Sequence, residues 1–330
     1  MKIAVVGATG LVGLEILKIL KERLNINSED VLKFASRRRP ELGILSLSED
    51  RNLLSQATYI FNATDSIVAK DLLNNLEGQQ YLIDNSSGLR MRKEVPLIVP
   101  EVNADASLDS RVFANPNCTA AMLCMALAPL KKYEMKRVVV STYQSASGAG
   151  IKGLVELEEQ ELRDYELPLP KAPVFGFPLM GNIMSHNSDL NLEPTEATFA
   201  YNDEEIKVME ETRKILDLPD LQLSCTCMRV PVRRSHLETV SVDFAKDFNL
   251  DDIRKNYEAF DGVRLVDDQK NNHFPMPLEA QLQDDVLVGR LRKDSQLPKT
   301  LHLILAGDQL RKGAATNAVQ ILQSHLARNK

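Results

Sequence analysis

The apolar positions change period within the first 24 residues. "KIAVV" is a short apolar run, "GATG" interrupts it, and "LVGLEILKILKERL" then sets Leu14, Leu17, Ile19 and Leu20 at helical spacings. An apolar run, a glycine turn and a 3.6-residue period predict strand, tight turn and helix. Strand-like runs follow at "VLKFAS" from Val31, "ATYIFNAT" from Ala57 and "YLIDNSS" from Tyr81, with connections long enough for crossovers. That rhythm predicts a largely parallel α/β sheet.

From about residue 131 the runs lengthen, and several alternate: "RVVVSTYQSAS", "LQLSCTCMRVPV", "LETVSVDFA" and "TLHLILAGDQL". A mixed sheet flanked by helices is expected there. Between these runs "ELPLPKAPVFGFPLMGN" (166–182) carries four prolines and two glycines, which predicts an extended irregular loop. The closing "KGAATNAVQILQSHLARNK" is helical in pattern and is expected to pack back on the first domain. The fold class is thus α/β: a Rossmann-like dinucleotide-binding domain at 1–118 with 308–330, and an α+β domain with a mixed sheet at 119–307.

At 330 residues, 44% hydrophobic and 26% charged, the chain is long enough for two cores. A net charge of -6 disfavours nucleic acid or an anionic membrane surface as a partner. No apolar stretch reaches the roughly 18 residues of a membrane span. Met1-Lys2 leads straight into a strand without a signal-peptide pattern, so a cytoplasmic protein is expected. Neither Cys225-Thr226-Cys227 nor Cys118 with Cys124 has zinc-site spacing, and four cysteines make no disulfide framework. No metal site is expected; thiol chemistry stays open.

Gly7, Gly10 and Gly13 follow the first strand and open the first helix, where small residues let a pyrophosphate approach backbone N–H groups. The pattern is GxxGxxG, not GxGxxG; Thr9, Leu11 and Val12 belong to the same turn and helix start. After the second strand, where an NAD site usually carries an acid, stand Ser36, Arg37 and Arg38. Arginines there favour a 2'-phosphate and so NADP; a solvated basic loop is the plain alternative.

"ANPNCTAAMLCMALAPL" (114–130) sets Cys118 after Asn-Pro-Asn and at the start of an alanine-rich helix. An unperturbed thiol is only about 3% thiolate at pH 7, and a helix N-terminus favours the anion. Cys118 is either a nucleophile or a small apolar residue at a buried helix start. Cys124, Cys225 and Cys227, among apolar neighbours, look structural. Arg229 shares a strand face with Leu221, Leu223, Cys225 and Cys227, and an arginine on an apolar face needs an anionic partner. His236 lies seven residues on, so the two reach one site only if a single strand bends, which Pro231 permits.

"GATGLVG", "VPLIVPEVN", "NPNCTA", "STYQSASGAG", "EEIKVMEETRKI", "MRVPVRRSH", "VGRLRKD" and "KGAATNAVQI" occur in order from residue 7 to 321. In this the chain resembles the aspartate-β-semialdehyde dehydrogenase family. The resemblance implies an NADP-dependent enzyme. It would interconvert L-aspartate-β-semialdehyde plus inorganic phosphate with L-aspartyl-β-phosphate, on the route to lysine, methionine and threonine.

By the resemblance, Cys118 is the nucleophile, Gln144 orients the substrate, and His236 is the acid/base, expected to titrate near 6.5. Arg229 holds the α-carboxylate, Glu204 the amino group, and Lys207 and Arg90 the phosphate. Asn117 stands beside the nucleophile, and Asn317 near the nicotinamide. Ser147 and Gly148 are further cofactor contacts. On residue pattern alone, Glu204 and Lys207 would be a surface ion pair on a helix, Arg90 a solvated loop residue, and His236 part of a polar surface loop.

The resemblance further implies that the second domain is catalytic and forms a homodimer, with association into a tetramer left open. One departure from the family pattern is Asn62-Ala63-Thr64-Asp65, where a glycine-containing turn is usual; cofactor contacts at 62–66 stay open. N-acetyl-γ-glutamyl-phosphate reductase, which takes a longer acylated substrate, and a non-catalytic NADP-binding homologue are the alternatives.

Overall fold

The computed structural model describes residues 1–107, 110–162 and 171–328. The chain divides into two compact units, Met1–Cys118 with Gly313–Lys330 and Thr119–Lys312. The return crossing falls at Gly313, where the sequence pattern put it at 308.

The first unit begins with β1 (Ile3–Val6), α1 (Leu11–Leu24), β2 (Val31–Ala35), β3 (Ile44–Ser46), β4 (Tyr59–Asn62), α2 (Ser66–Asn74), β5 (Tyr81–Asp84), the single turn α3 (Pro100–Asn103) and β6 (Val112–Ala114). The sheet runs β3-β2-β1-β4-β5-β6 with every pairing parallel. This doubly wound order reverses direction between β1 and β4, and ligands of such sheets bind beyond the carboxyl ends of the strands at that switch point.

Helix α4 (Cys118–Leu127) carries Cys118 as its first residue, and Thr119 to Leu127 are all buried, as expected of a helix apolar all round. The second unit continues with β7 (Met135–Gln144), α5 (Gly150–Glu161), β8 (Met184–Ser185), α6 (Asp203–Leu216), β9 (Gln222–Arg229), β10 (His236–Phe244), α7 (Leu250–Glu258), β11 (Val263–Leu265), α8 (Pro277–Ala280), β12 (Val286–Lys293) and β13 (Thr300–Gly307). Its sheet runs β11-β12-β13-β10-β7-β9-β8. It is mixed: β7 pairs parallel with β9 and antiparallel with β10. Of the irregular loop expected at 166–182, residues 166–170 lie outside the described residues, and 171–182 hold neither helix nor strand.

A π turn over Arg311–Ala315 leads into α9 (Thr316–Arg328). Ala318, Val319, Ile321 and Leu322 of α9 share one core cluster with Ile16, Ile19 and Leu20 of α1 and with Ile3 and Val5 of β1. Each fully buried Ile or Leu contributes about 1.5–3 kcal/mol. Leu14 does not join them. It is 52% exposed, because at 100° per residue it faces nearly opposite to Ile16, on which the buried stripe is centred. No helix among the described residues is long and apolar enough to cross a membrane.

Candidate active site

In the first unit, Gly7 turns the chain out of β1 at a φ of 87° that a side chain would resist. A Cβ on Gly7 would lie 2.7 Å from the Ala63 carbonyl oxygen, and one on Gly13 would lie 2.2 Å from that of Gly7. Both glycines are required by close approach of backbone to backbone at the β1–β4 switch point. Gly10 is the N-cap of α1, whose first-turn N–H groups have no acceptor within the helix. Thr9, Gly10, Leu11 and Val12 are all half-buried around this helix end. A cradle without side chains, at a helix N-terminus beyond a parallel sheet, fits the pyrophosphate of a dinucleotide.

Ser36, Arg37 and Arg38 are exposed just after β2. Arg38 is not simply solvated: its Nη2 lies 2.5 Å from Oδ1 of buried Asp50, whose Oδ2 accepts from the Ser46 N–H at 2.8 Å. An acid therefore does stand near the second strand, but an arginine covers it. After β4, the Thr64 hydroxyl donates to Asn62 Oδ1 at 2.6 Å, and Asp65 caps α2 by accepting from the Ile67 and Val68 N–H groups.

The approach to Cys118 is clamped at Asn115. Its N–H donates to the Asp84 carbonyl at 2.7 Å, its carbonyl accepts from Arg90 Nε at 2.9 Å, and its Oδ1 accepts from Asn317 Nδ2 at 2.7 Å. Arg90 also donates from Nη2 to the Asn85 carbonyl at 2.7 Å, and Asn317 to that of Ile98 at 2.8 Å. Arg90, Asn117 and Asn317 are buried, so the reading of Arg90 as a solvated loop residue is wrong: it grips backbone. Asp84 is held in place by Asn62 and Ser86, and burial raises its carboxyl above the usual range.

Cys118 is half-buried, while Cys124, Cys225 and Cys227 are buried. Burial pushes the Cys124 thiol up; the Cys225 thiol rises first through its contact with Cys227 and then through burial. A Cβ on Gly313, in the π turn, would lie 2.7 Å from the Cβ of Cys118, so only glycine leaves that thiol's neighbourhood open.

In the second unit, β7 ends at Gln144 with Arg229, the last residue of β9, in register beside it. His236 opens β10 on the other side of β7, since Leu237 pairs with Tyr143. The single bent strand expected from the Arg229–His236 spacing is not what forms. Two strands flank β7, and the link through Pro231 crosses its end, closing with Ser235 at a φ of 73°.

Around that end the groups converge. Arg229 Nη1 donates to the Ser145 carbonyl at 2.8 Å, and the Ser145 N–H donates to His236 Nδ1 at 3.0 Å. A Cβ on Gly148 would lie 3.0 Å from Arg229 Nη1 and 3.2 Å from His236 Cε1. Ser147 is buried, and its hydroxyl accepts from Gln309 Nε2.

His236 is fully buried, not part of a surface loop. Its pKa is pulled down from 6.5 to about 3, by burial first and then by the charge of Arg229, with Glu204 opposing. It is therefore neutral at pH 7, not poised near 6.5. Because a backbone N–H donates to Nδ1, the neutral ring carries its proton on Nε2. The Ser145 hydroxyl lies 3.1 Å from the same nitrogen and can donate to it as well.

Glu204 is buried near the start of α6, not on an exposed face, and its Oε1 accepts from Gln144 Nε2 at 3.2 Å. The same amide group lies 3.1 Å from Thr119 Oγ1 and 3.3 Å from Thr142 Oγ1. A capping box between Asn202 and Glu205 fixes that helix start. Lys207, one turn on, is half-buried.

His186, which nothing in the local sequence pattern singles out, lies with Nε2 2.6 Å from Arg229 Nη2. Its pKa falls to about 4 through burial and then the Arg229 charge. This wall of the second unit thus offers a fixed guanidinium, a carboxylate, an amide and a neutral imidazole, a set suited to an amino-acid head group and to proton transfer beside it.

Two family models match the chain: "Semialdehyde dehydrogenase, NAD binding domain" over residues 2–110 and "Semialdehyde dehydrogenase, dimerisation domain" over residues 127–312. The chain is similar to the aspartate-semialdehyde dehydrogenase of Synechocystis sp., at 39% identity over 333 residues, covering 98% of this chain and 96% of that one. It is similar also to that of Prochlorococcus marinus, at 38% identity, covering 100% and 97%. Among solved structures, aspartate semialdehyde dehydrogenase II of Vibrio cholerae, complexed with ASA, superposes with a TM-score of 0.88 at 30% identity, covering 99% of this chain and 98% of that one.

Proposed function

The chain belongs to the aspartate-semialdehyde dehydrogenase family of NAD(P)-dependent oxidoreductases, and from that membership we propose that it reduces L-aspartyl-β-phosphate to L-aspartate-β-semialdehyde with NADPH, releasing inorganic phosphate, on the route to lysine, methionine and threonine. Cys118 is the nucleophile: its thiolate attacks the acyl phosphate, phosphate leaves, and a thioester remains. Arg229 holds the α-carboxylate, Glu204 the amino group, and Gln144 orients the chain between them. Lys207 and Arg90 receive the phosphate, with Asn117 beside the sulfur. Gly7, Thr9, Gly10, Leu11 and Val12 cradle the pyrophosphate, Arg37 and Arg38 with Ser36 meet the 2'-phosphate, and Ser147, Gly148 and Asn317 border the nicotinamide.

NADPH, when bound, supplies the hydride that turns the thioester into a thiohemiacetal. His236 stabilises the charge that develops on the substrate oxygen. Its Nε2–H donates a hydrogen bond to that oxygen as hydride arrives, and the oxyanion re-forms the carbonyl as the C–S bond breaks, releasing the aldehyde and returning the Cys118 thiolate with the ring proton still on Nε2. A carboxylate seated on Arg229 cancels the charge that depresses His236, so the imidazole becomes more basic when substrate is bound.

The observation that carries the substrate assignment is Arg229 and buried Glu204 set in one wall and joined to the same strand end. A free α-amino acid needs both charges, whereas an N-acetylated head needs no acid. The dimerisation-domain match supports a homodimer, and four free cysteines, one of them a nucleophile, suit a reducing compartment such as the cytoplasm.

The test is NADP reduction with phosphate and L-aspartate semialdehyde, compared with N-acetylglutamate semialdehyde and repeated with Cys118→Ala. Activity on the first aldehyde alone, lost in the variant, is expected. Turnover by Cys118→Ala at the wild-type rate would end the covalent route.

A further inference from the structure

His186 and Ser188 follow β8 in an otherwise irregular stretch and take no part in the chemistry above. Arginine has only donors, so in the 2.6 Å contact between Arg229 Nη2 and His186 Nε2 the ring nitrogen must accept. A neutral ring accepting at Nε2 carries its proton on Nδ1. That proton goes to the Ser188 hydroxyl at 3.1 Å, which leaves the Ser188 N–H, 3.3 Å from the same nitrogen, without Nδ1 as an acceptor, and the hydroxyl oxygen accepts from the Glu204 N–H at 3.2 Å. The ring is held neutral, at about 4, by burial and by the guanidinium itself.

Arg229 is thereby held on two sides, by the Ser145 carbonyl at Nη1 and by His186 at Nη2, over the Phe175 ring 5.7 Å away. The contacts run without a break from Arg229 through His186 and Ser188 to the backbone N–H of Glu204 in the first turn of α6. A short relay of neutral groups thus ties the guanidinium to the main chain that carries the Glu204 carboxylate.

We infer that His186 is a positioning residue which, through Ser188, sets the orientation of Arg229 and its spacing from Glu204, and so confers selectivity for a substrate with a free α-amino acid head. The inference rests on the proposal that Arg229 and Glu204 bind the α-carboxylate and amino group. A guanidinium recognises a carboxylate through a planar fork, so its orientation matters as much as its charge. Removing His186 leaves the charge in place and takes away the 2.6 Å contact at Nη2, leaving there the longer 3.4 Å contact with Asn187 Oδ1 to orient the fork.

Initial-rate kinetics of the full-length enzyme with NADP and phosphate test this. His186→Ala is expected to raise KM for L-aspartate semialdehyde about tenfold or more, as befits loss of a hydrogen bond to a charged group, with kcat within about threefold of wild type. His186→Gln, whose amide oxygen can accept from Arg229, is expected to recover most of that loss. The effect of His186→Ala is expected to vanish with 3-aminopropanal, which has no carboxylate for Arg229 to orient. Ser188→Ala is expected to raise KM in the same direction by a smaller factor.

Unchanged KM in His186→Ala, an equal loss on both aldehydes, or no recovery by His186→Gln would overturn the inference. Wild-type enzyme inactive on L-aspartate semialdehyde would overturn the functional proposal itself, and with it this one.

Discussion

Gly148→Ala adds one methyl group at the point where Arg229 and His236 meet. An ideal Cβ there lies 3.0 Å from Arg229 Nη1, 3.2 Å from His236 Cε1 and 3.4 Å from His236 Nε2. The backbone at Gly148 has no positive φ, so alanine brings no conformational strain; the whole cost falls on the two side chains. Arg229 cannot retreat without lengthening its 2.8 Å bond to Ser145 or its 2.6 Å bond to His186.

A hydrogen bond to a charged group contributes about 1.5–3 kcal/mol. Losing one in the bound state corresponds to roughly a 10- to 100-fold fall in kcat/KM, at about 1.4 kcal/mol per decade. The assay is initial-rate NADP reduction with L-aspartate semialdehyde and phosphate, alongside a thermal melt to confirm an intact fold. A folded Gly148→Ala enzyme with kcat/KM within about twofold of wild type would refute the claim that Arg229 and His236 are held rigidly against that glycine.

Acid should unfold this protein earlier than its carboxylates alone would predict. The His236 pKa falls from 6.5 to about 3 in the folded chain, so between those values the unfolded chain binds a proton that the folded chain refuses. Stability is full above 6.5 and declines as pH drops through that window, by roughly 2 kcal/mol at pH 5 from His236, with His186 acting in the same direction. Equal urea midpoints at pH 7.5 and 5 would contradict this.

Glu238 gives the opposite sign. Fully buried on β10, with neither carboxyl oxygen hydrogen-bonded, it has a pKa well above 4.5, so the folded chain keeps a proton that the unfolded chain releases as pH rises. Glu238→Gln should melt higher than wild type at pH 8 and lose that advantage by pH 5; no pH-dependent difference in melting would count against a protonated Glu238. Replacing Arg37 and Arg38 together with alanine should lower kcat/KM for NADP by about tenfold or more while sparing NAD, as loss of a charged contact to the 2'-phosphate requires. An unchanged NADP to NAD ratio would remove those arginines from cofactor selection.

What could be read from sequence was what depends on near neighbours. The glycine turn after β1 and the placement of Cys118 at a helix start are local patterns, and both appear in the structure. So do the long strands ending at Gln144 and Arg229. β3 and β6 leave no such pattern, because each has only three residues and acquires strand character by pairing with a neighbour distant in sequence.

In the sequence the convergence of Arg229 and His236 reads only as a strand bend, because nothing near residue 230 announces that β7 will lie between them. Glu204 follows the same logic: on its helix it pairs by default with Lys207, and only the packing of α6 buries it against Gln144. For these residues family resemblance supplied what local pattern could not. His186 had neither kind of signal, since it sits in an irregular stretch and its role is set by an arginine 43 residues away. A residue whose task is to hold another has no chemistry of its own to advertise, and that is why the support of this site, unlike its reacting groups, had to be found in three dimensions.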